Sequence, residues 1–146
     1  MKIICMIPAR LNSKRIIKKN LRLIDGKPLI SYALETISKT SCFDEIYLNS
    51  ESELFRDIAN EYKISFYKRD KKLSTDKIQN DDFAIDFVNR VPGDILIQVL
   101  PTSPFITANE IQEFTKQMVD NKLDTQVSVE HKKIACVYKN APINFN

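Results

Sequence analysis

Short apolar runs alternate with longer segments of helical periodicity along the chain. Residues 3–7 and 95–100 are almost continuously apolar, which is typical of strands buried on both faces of a parallel sheet. Shorter strand patterns follow at residues 43–49, 64–67, 125–129 and 134–138. We therefore expect a sheet with the first strand at its centre.

Apolar side chains at helical spacing fill the intervals between these strands. They predict helices over residues 29–37, 54–62, 83–88 and 107–118. The last helix begins with Thr107 and Glu110, the spacing of a capping box in which each side chain accepts from the other's backbone N–H. Strands that alternate with helices in this way form right-handed βαβ units. The sequence thus predicts an α/β protein with a mostly parallel sheet and helices on both faces.

Three polar loops should share one edge of this sheet. They follow predicted strands and cover residues 10–20, 69–76 and 101–104. In open α/β sheets, ligands bind beyond the carboxyl ends of the strands, where such loops gather. We expect the functional site at that edge.

Positive charge is concentrated in the first of these loops. Residues 10–27 contain seven Lys or Arg and one acid, Asp25, a net charge of +6 in a chain whose total is +3. Because the excess is local, the natural partner is a local anion. Arg10, Lys14 and Lys19 could contact several phosphate oxygens together. A solvated basic surface is the alternative interpretation.

The loop lacks the Gly-rich motifs that usually bind phosphates. Neither GxxxxGK[ST] nor GxGxxG is present, so side-chain cations would replace backbone N–H groups. Nucleic-acid binding is disfavoured, because the charge is confined to one short segment and no aromatic residues interleave with it.

Length and composition narrow the class of protein. A chain of 146 residues, 43% hydrophobic, predicts one domain over residues 1–146 with one core. The three cysteines are far apart and only one histidine is present, which argues against a zinc site and a disulfide framework. Cys5 and Cys42 are expected to be small core residues. No apolar stretch suits a signal peptide or a membrane span, so we expect a cytoplasmic protein with no membrane partner.

Residues 9–20 contain three dipeptides at set spacing, namely Ala9-Arg10, Ser13-Lys14 and Lys19-Asn20. This stretch resembles the N-terminal signature of the CMP-sialic acid synthetases, or acylneuraminate cytidylyltransferases. Further similar stretches follow in the family's order and spacing: residues 43–51, the group Arg69, Leu73, Thr75 and Asp76, and the turn at residues 100–104. The resemblance covers nearly the whole chain and corresponds to the family's N-terminal portion.

The resemblance implies a fold, a reaction and partners. The fold would be a doubly wound, Rossmann-like nucleotidyltransferase domain. The reaction would transfer CMP from CTP to a sialic-type nonulosonic acid, with Mg²⁺ as cofactor and pyrophosphate as product. CTP and an acidic sugar would be the partners, and a homodimer is an assembly that the resemblance leaves open.

The resemblance also assigns site residues. Arg10 and Lys19 would be catalytic, holding the triphosphate and stabilising charge as the sugar hydroxyl attacks the α-phosphorus. Lys14 would assist, Asn12 and Ser13 would lie along the nucleotide, and Arg69 and Asn80 would lie near the base. The full set implied to bind substrate is Ala9, Asn12, Ser13, Lys14, Asn20, Arg69, Asn80, Pro101, Thr102 and Ser103.

Two departures from the family pattern bear on function. The family typically has glutamine before the Pro-Thr-Ser-Pro turn, where it contacts substrate, and this chain has Leu100. The sequence ends at Asn146, before the paired aspartates that bind Mg²⁺ in the family, so we expect the chain to lack that C-terminal part. By their positions in the loops, Glu51 and Asp76 are the nearest candidates for metal ligands. A role at the start of a helix or in a turn explains their presence equally well, so no metal ligand is assigned. A catalytically inactive, shortened nucleotide- or partner-binding homologue is the alternative.

Overall fold

The computed structural model describes residues 1–130 and 136–143. Its strands are β1 Ile3–Pro8, β2 Leu23–Ile24, β3 Lys27–Pro28, β4 Glu45–Ser50, β5 Ser65–Lys68, β6 Ile95–Gln98, β7 Val137–Tyr138 and β8 Ala141–Pro142. Its α-helices are α1 Leu29–Ile37, α2 Leu54–Glu61, α3 Asn80–Val88 and α4 Ala108–Asp120. Short 3₁₀ helices lie at Lys19–Leu21 and Lys71–Ser74.

The main sheet has the strand order β5-β4-β1-β6, and all of its pairings are parallel. β1 lies between β4 and β6, as its apolar sequence predicted, with Met6 opposite Tyr47 on one side and Gln98 on the other. The chain winds outward from β1 through β4 to β5 and then returns to the other side of β1. This reversal makes a topological switch point between β1 and β6, where doubly wound folds bind ligands.

The two faces of β1 are buried by different helices. Cys5 and Ile7 point to the face covered by α1, α2 and α4, whereas Ile4 and Met6 pack against Phe87 of α3. Alternate side chains along a strand point to opposite faces, so an apolar strand can be buried on both. The prediction of helices on both faces is confirmed, and burial raises the pKa of the Cys5 thiol, as expected for a core cysteine.

Capping boxes fix the starts of two helices. The Thr107 backbone N–H donates to Glu110 Oε2 at 2.8 Å, and the Glu110 N–H donates to Thr107 Oγ1 at 3.2 Å, which confirms the predicted cap of α4. At α3, the backbone N–H of Gln79 donates to Asp82 Oδ2 at 2.8 Å. This cap places Asn80 at the edge of the sheet where the loops meet.

The strand predicted over residues 125–129 is wrong, because that segment has no strand structure. A strand requires a paired backbone and a buried face, yet Val127 and Val129 are 74% and 85% exposed. In the predicted strand over residues 134–138, residues 134–135 lie outside the described residues. Val137–Tyr138 is a two-residue strand that pairs antiparallel with β8.

In the part of the chain that the structure describes, no helix is both long enough and apolar enough to span a bilayer.

Candidate functional site

The three predicted loops do meet at the carboxyl edge of the sheet, around a cavity of about 310 Å³. The loop after β1 contributes Arg10, Ser13, Lys19 and Asn20 to its wall. The segment after β5 contributes Arg69, and the turn after β6 contributes Pro101 and Thr102, with Asn80 from the start of α3. The cavity lies at the switch point between β1 and β6, where the fold predicts a ligand.

Backbone and side-chain hydrogen bonds hold the basic loop in a defined shape. The N–H of Ala9 donates to the carbonyl of Asn49 at 2.9 Å, which continues the pairing of β1 with β4. The next anchor is the N–H of Leu11, which donates to Glu51 Oε1 at 2.8 Å. At the far end of the loop, Asn20 Nδ2 donates to the Arg10 carbonyl at 3.1 Å. These contacts anchor both ends of the segment that carries the loop's cations.

Asp76 forms ion pairs with two cations of the basic loop. Its Oδ1 lies 3.1 Å from Arg10 Nη1 and its Oδ2 lies 3.2 Å from Lys14 Nζ. All three side chains are partly open to solvent. Hydrogen bonds from Lys14 and Arg10 lower the pKa of the Asp76 carboxyl, so it is ionised when it bridges them.

Arg69 is the buried cation of the site, with only 3% of the residue exposed. Its Nη2 lies 3.3 Å from Glu51 Oε2, and its Cζ lies 4.7 Å from the centre of the Phe83 ring. Burial lowers the pKa of the Arg69 guanidinium, and Glu51 opposes this shift. The Glu51 carboxylate therefore serves both the basic loop and Arg69.

Two buried polar atoms in the cavity wall have no hydrogen-bond partner among the described residues. They are Nε of Arg69 and Oγ of Ser74, and both residues line the cavity. Buried polar groups are nearly always hydrogen-bonded, so an unpaired donor beside a cavity is a natural contact for a ligand.

The remaining predicted residues lie outside this cavity. Asn12 and Lys14 line an adjoining cavity of about 850 Å³, which shares Arg10, Ser13 and Asp76 with the first. Ser103 lines a third cavity of about 560 Å³ beside β6. Ala9 is fully buried in the core beneath the basic loop.

Sequence reasoning missed the contacts of Glu51, Ser74 and Phe83. Glu51 follows β4 directly, so its position at the carboxyl edge of the sheet was a usable signal. Phe83 seemed to be only a core residue of a helix, and its stacking on Arg69 depends on how α3 packs. The exposed Leu100, at the position of the family's glutamine, also lines the cavity.

The magnesium ion that the resemblance implies would need one or two carboxylates from the described residues, together with substrate phosphates. Among them there is no cluster of three His, Cys, Asp or Glu that could hold a metal ion. Two carboxylates of the site already have partners. Asp76 pairs with Arg10 and Lys14. Glu51 pairs with Arg69 and accepts a hydrogen bond from the backbone N–H of Leu11.

A doubly wound α/β sheet with a cationic cavity at its switch point is the architecture of Rossmann-like nucleotidyltransferases. Comparison with known proteins agrees with this class. A family model described as cytidylyltransferase matches residues 4–143, and the chain belongs to that family.

Two relatives support the same assignment, and a solved structure shares the fold. An N-acylneuraminate cytidylyltransferase of Streptococcus agalactiae serotype V is 35% identical over 133 residues, covering 88% of this chain and 32% of the relative. A pseudaminic acid cytidylyltransferase of Campylobacter jejuni serotype O:23/36 is 33% identical over 129 residues, covering 84% and 55%. The structure of a CMP:2-keto-3-deoxy-manno-octonic acid synthetase complexed with CTP superimposes with a TM-score of 0.70 at 20% identity, covering 84% of this chain and 49% of that one. The chain thus spans about a third to a half of these proteins.

Proposed function

We propose that this chain is the nucleotide-binding part of an enzyme that transfers CMP from CTP to a sialic-type nonulosonic acid. The observation that carries the proposal is the convergence of Arg10, Lys19 and Arg69 on one cavity at the sheet's switch point. Arg69 and Ser74, whose Nε and Oγ are buried without a hydrogen-bond partner among the described residues, also line this cavity.

The proposed reaction is a displacement at the α-phosphorus of CTP. A hydroxyl oxygen of the sugar forms a bond to that phosphorus, and the bond from the phosphorus to the oxygen shared with the β-phosphate breaks. The hydroxyl proton passes to solvent, and pyrophosphate leaves. Such a reaction asks the protein mainly for alignment and for fixed positive charge.

The cations of the basic loop supply that charge in the proposal. Arg10 and Lys19 hold the triphosphate and stabilise the charge that develops on its oxygens, and Lys14 assists from the adjoining cavity. Arg10 offers a planar pair of donors, whereas each lysine offers a point charge. Asn12 and Ser13 lie along the nucleotide.

The base side of the site is assigned to Arg69 and Asn80. Arg69 is held between Glu51 and Phe83, so its free donors have a fixed direction. Asn80 begins α3 at the cavity wall and adds an amide that can both donate and accept. Pro101 and Thr102 also line this cavity.

The names of the relatives support the class of sugar. They include an N-acylneuraminate cytidylyltransferase and a pseudaminic acid cytidylyltransferase, whose names each print an acidic compound. Because these proteins are two to three times longer than the part that this chain covers, nucleotide binding is the primary test.

Calorimetric titration of the full chain with CTP, ATP and GTP tests the proposal. We expect a preference for CTP, and we expect Arg10→Ala and Lys19→Ala each to weaken CTP binding by about tenfold or more, as for a lost charge-assisted hydrogen bond. Arg15→Ala is the matched control, because Arg15 is an exposed cation of the same loop and its removal changes the net charge equally.

Two outcomes would overturn the proposal. One is equal affinity for the three nucleotides. The other is an equal loss of affinity in Arg15→Ala and Arg10→Ala, which would indicate only diffuse attraction to a basic surface. Pyrophosphate release from CTP and N-acetylneuraminic acid, measured with magnesium present, extends the test from binding to reaction.

A further inference from the structure

Asp76 places a carboxylate between two of the cations that the proposed function assigns to the triphosphate. One oxygen pairs with Arg10 at 3.1 Å and the other with Lys14 at 3.2 Å. A phosphate group that bridged these cations would present two oxygens in the same way. The Asp76 carboxylate therefore occupies the position between the two cations that such a phosphate would take.

The location of Asp76 fits competition with a ligand. Asp76 lines both the 310 Å³ cavity and the adjoining 850 Å³ cavity, so it lies on their common wall. A triphosphate that reached both Arg10 and Lys14 would have to replace this carboxylate or push it aside, since two anions cannot share the same donors without repulsion.

The segment that carries Asp76 has its own internal hydrogen bonds. The backbone N–H of Lys72 donates to Asp70 Oδ1 at 2.8 Å, and that of Leu73 donates to the Asp70 carbonyl at 3.0 Å. The N–H of Ile78 donates to the Thr75 carbonyl at 3.3 Å. These bonds flank Asp76 without using its side chain, so the fold of the segment does not depend on the carboxylate.

The two ion pairs are also weak enough to be exchanged. The side chains of Arg10, Lys14 and Asp76 are 38%, 72% and 43% exposed. Solvent screens pairs of this kind, and they add little to stability. Breaking the two ion pairs of Asp76 would therefore reduce the affinity for a ligand only modestly.

We propose that Asp76 is an internal competitor that sets the affinity of the site for polyphosphate by occupying Arg10 and Lys14 until the ligand replaces both contacts. This inference rests on the proposed function for the identity of the nucleotide, but the competition itself concerns any polyphosphate that reaches these two cations.

The test compares inorganic tripolyphosphate and CTP binding to wild-type chain and three variants, by calorimetry with EDTA present so that no divalent cation bridges Asp76 to the ligand. Asp76→Asn removes the competing charge and keeps the shape. We expect it to tighten tripolyphosphate and CTP binding by about three- to tenfold, the range expected when two exposed ion pairs no longer have to be broken. Asp76→Glu keeps the charge and should stay close to wild type.

Asp120→Asn is the control for net charge, because Asp120 is an exposed residue at the end of α4 that pairs with Lys116 and lines neither cavity beside the basic loop. The gain in Asp76→Asn must exceed the gain in this control. Thermal melting of each variant reports whether the fold is retained.

Weaker or unchanged tripolyphosphate binding in Asp76→Asn overturns the inference. If Asp76 only held Arg10 in position, its neutralisation would weaken the binding of tripolyphosphate instead of strengthening it. The inference also fails if neither wild type nor Asp76→Asn binds tripolyphosphate. Failure of the proposed function looks different: CTP then shows no advantage over ATP and GTP, whereas the tripolyphosphate titrations still decide the role of Asp76.

Discussion

Asn20 donates a hydrogen bond from its side-chain Nδ2 to the backbone carbonyl of Arg10 at 3.1 Å, across ten positions of sequence. Asn20 is 7% exposed, although it lies in the most basic and polar stretch of the chain. The bond ties the end of the basic loop to its beginning. The hydrogen bond from Asn20 thus joins the two ends of the loop, and the cations between Arg10 and Asn20 lie within this closed segment.

Asn20→Ala should lower both the stability of the chain and its affinity for CTP. The substitution leaves the partly buried carbonyl of Arg10 without its donor, which costs about 1 to 3 kcal/mol of unfolding free energy. Urea unfolding measures the first effect and calorimetry the second.

Asn12→Ala is the matched control for stability, because Asn12 lies in the same loop and is exposed. Its unfolding free energy should stay within about 0.5 kcal/mol of wild type. An equal loss of stability in both variants would contradict the role assigned to the Asn20 bond.

Much of the fold could be predicted because the sheet's central strand is buried on both faces. Residues 3–7 are apolar throughout and residues 95–100 are apolar except at Gln98, which is typical of strands covered on both faces of a parallel sheet. The segment 125–129 shows the limit of such patterns, since alternation predicts a strand only where a neighbouring backbone pairs with it. In this structure its valines remain exposed.

Part of the candidate site could likewise be predicted from the sequence, and part could not. The basic loop and the turn around Pro101 could be placed from the sequence, because loops after parallel strands gather at one edge. The pairing of Asp76 with Arg10 and the stacking of Arg69 on Phe83 join residues far apart in sequence, so local pattern could not reveal them. The burial of Asn20 could not be predicted either, because its polarity suggests an exposed loop residue.

Glu51→Gln should destabilise the chain and weaken nucleotide binding together. A glutamine can still accept from the Leu11 N–H, but it leaves the buried Arg69 without an anionic partner. Breaking a buried pair costs about 3 kcal/mol or more of unfolding free energy. Denaturant unfolding gives that cost, and CTP titration reports whether the basic loop and Arg69 keep their positions.

Glu53→Gln provides the comparison for Glu51→Gln. Glu53 is an exposed carboxylate that pairs with Arg56 and Lys68, so its neutralisation removes the same charge close by with little loss of stability. If the two variants lost stability equally, Glu51 would have no special role as a link between the loop and Arg69.

Leu100→Gln should leave the fold and CTP binding unchanged. Leu100 is 48% exposed at the cavity wall, so a polar side chain there is expected to change the unfolding free energy by less than about 0.5 kcal/mol. Glutamine adds a donor and an acceptor, and the affinity for N-acetylneuraminic acid titrated into CTP-saturated chain should rise.

Leu100→Met is the apolar control for Leu100→Gln and should give no such rise. A fall in CTP affinity of Leu100→Gln as large as that of Arg10→Ala would contradict this prediction and would indicate that Leu100 lies against the bound nucleotide.

As the pH drops from 4.5 to about 2, Glu53 should make a small contribution to the loss of stability, small because its ion pairs are exposed and solvent screens them. Its carboxylate accepts from Arg56 Nε at 2.6 Å and lies 2.8 Å from Lys68 Nζ, and these contacts lower the pKa of Glu53 from 4.5 to about 2. Because the pKa of Glu53 is lower in the folded chain than in the unfolded chain, its contribution to stability is fully present above pH 4.5 and is lost as the pH falls through the folded pKa.

Urea unfolding between pH 4.5 and 2 should show a shallower decline in unfolding free energy for Glu53→Gln than for wild type. The difference should shrink in about 1 M salt, where the Debye length is about 3 Å. Parallel declines in low salt would show that Glu53 does not contribute to the acid sensitivity of the fold.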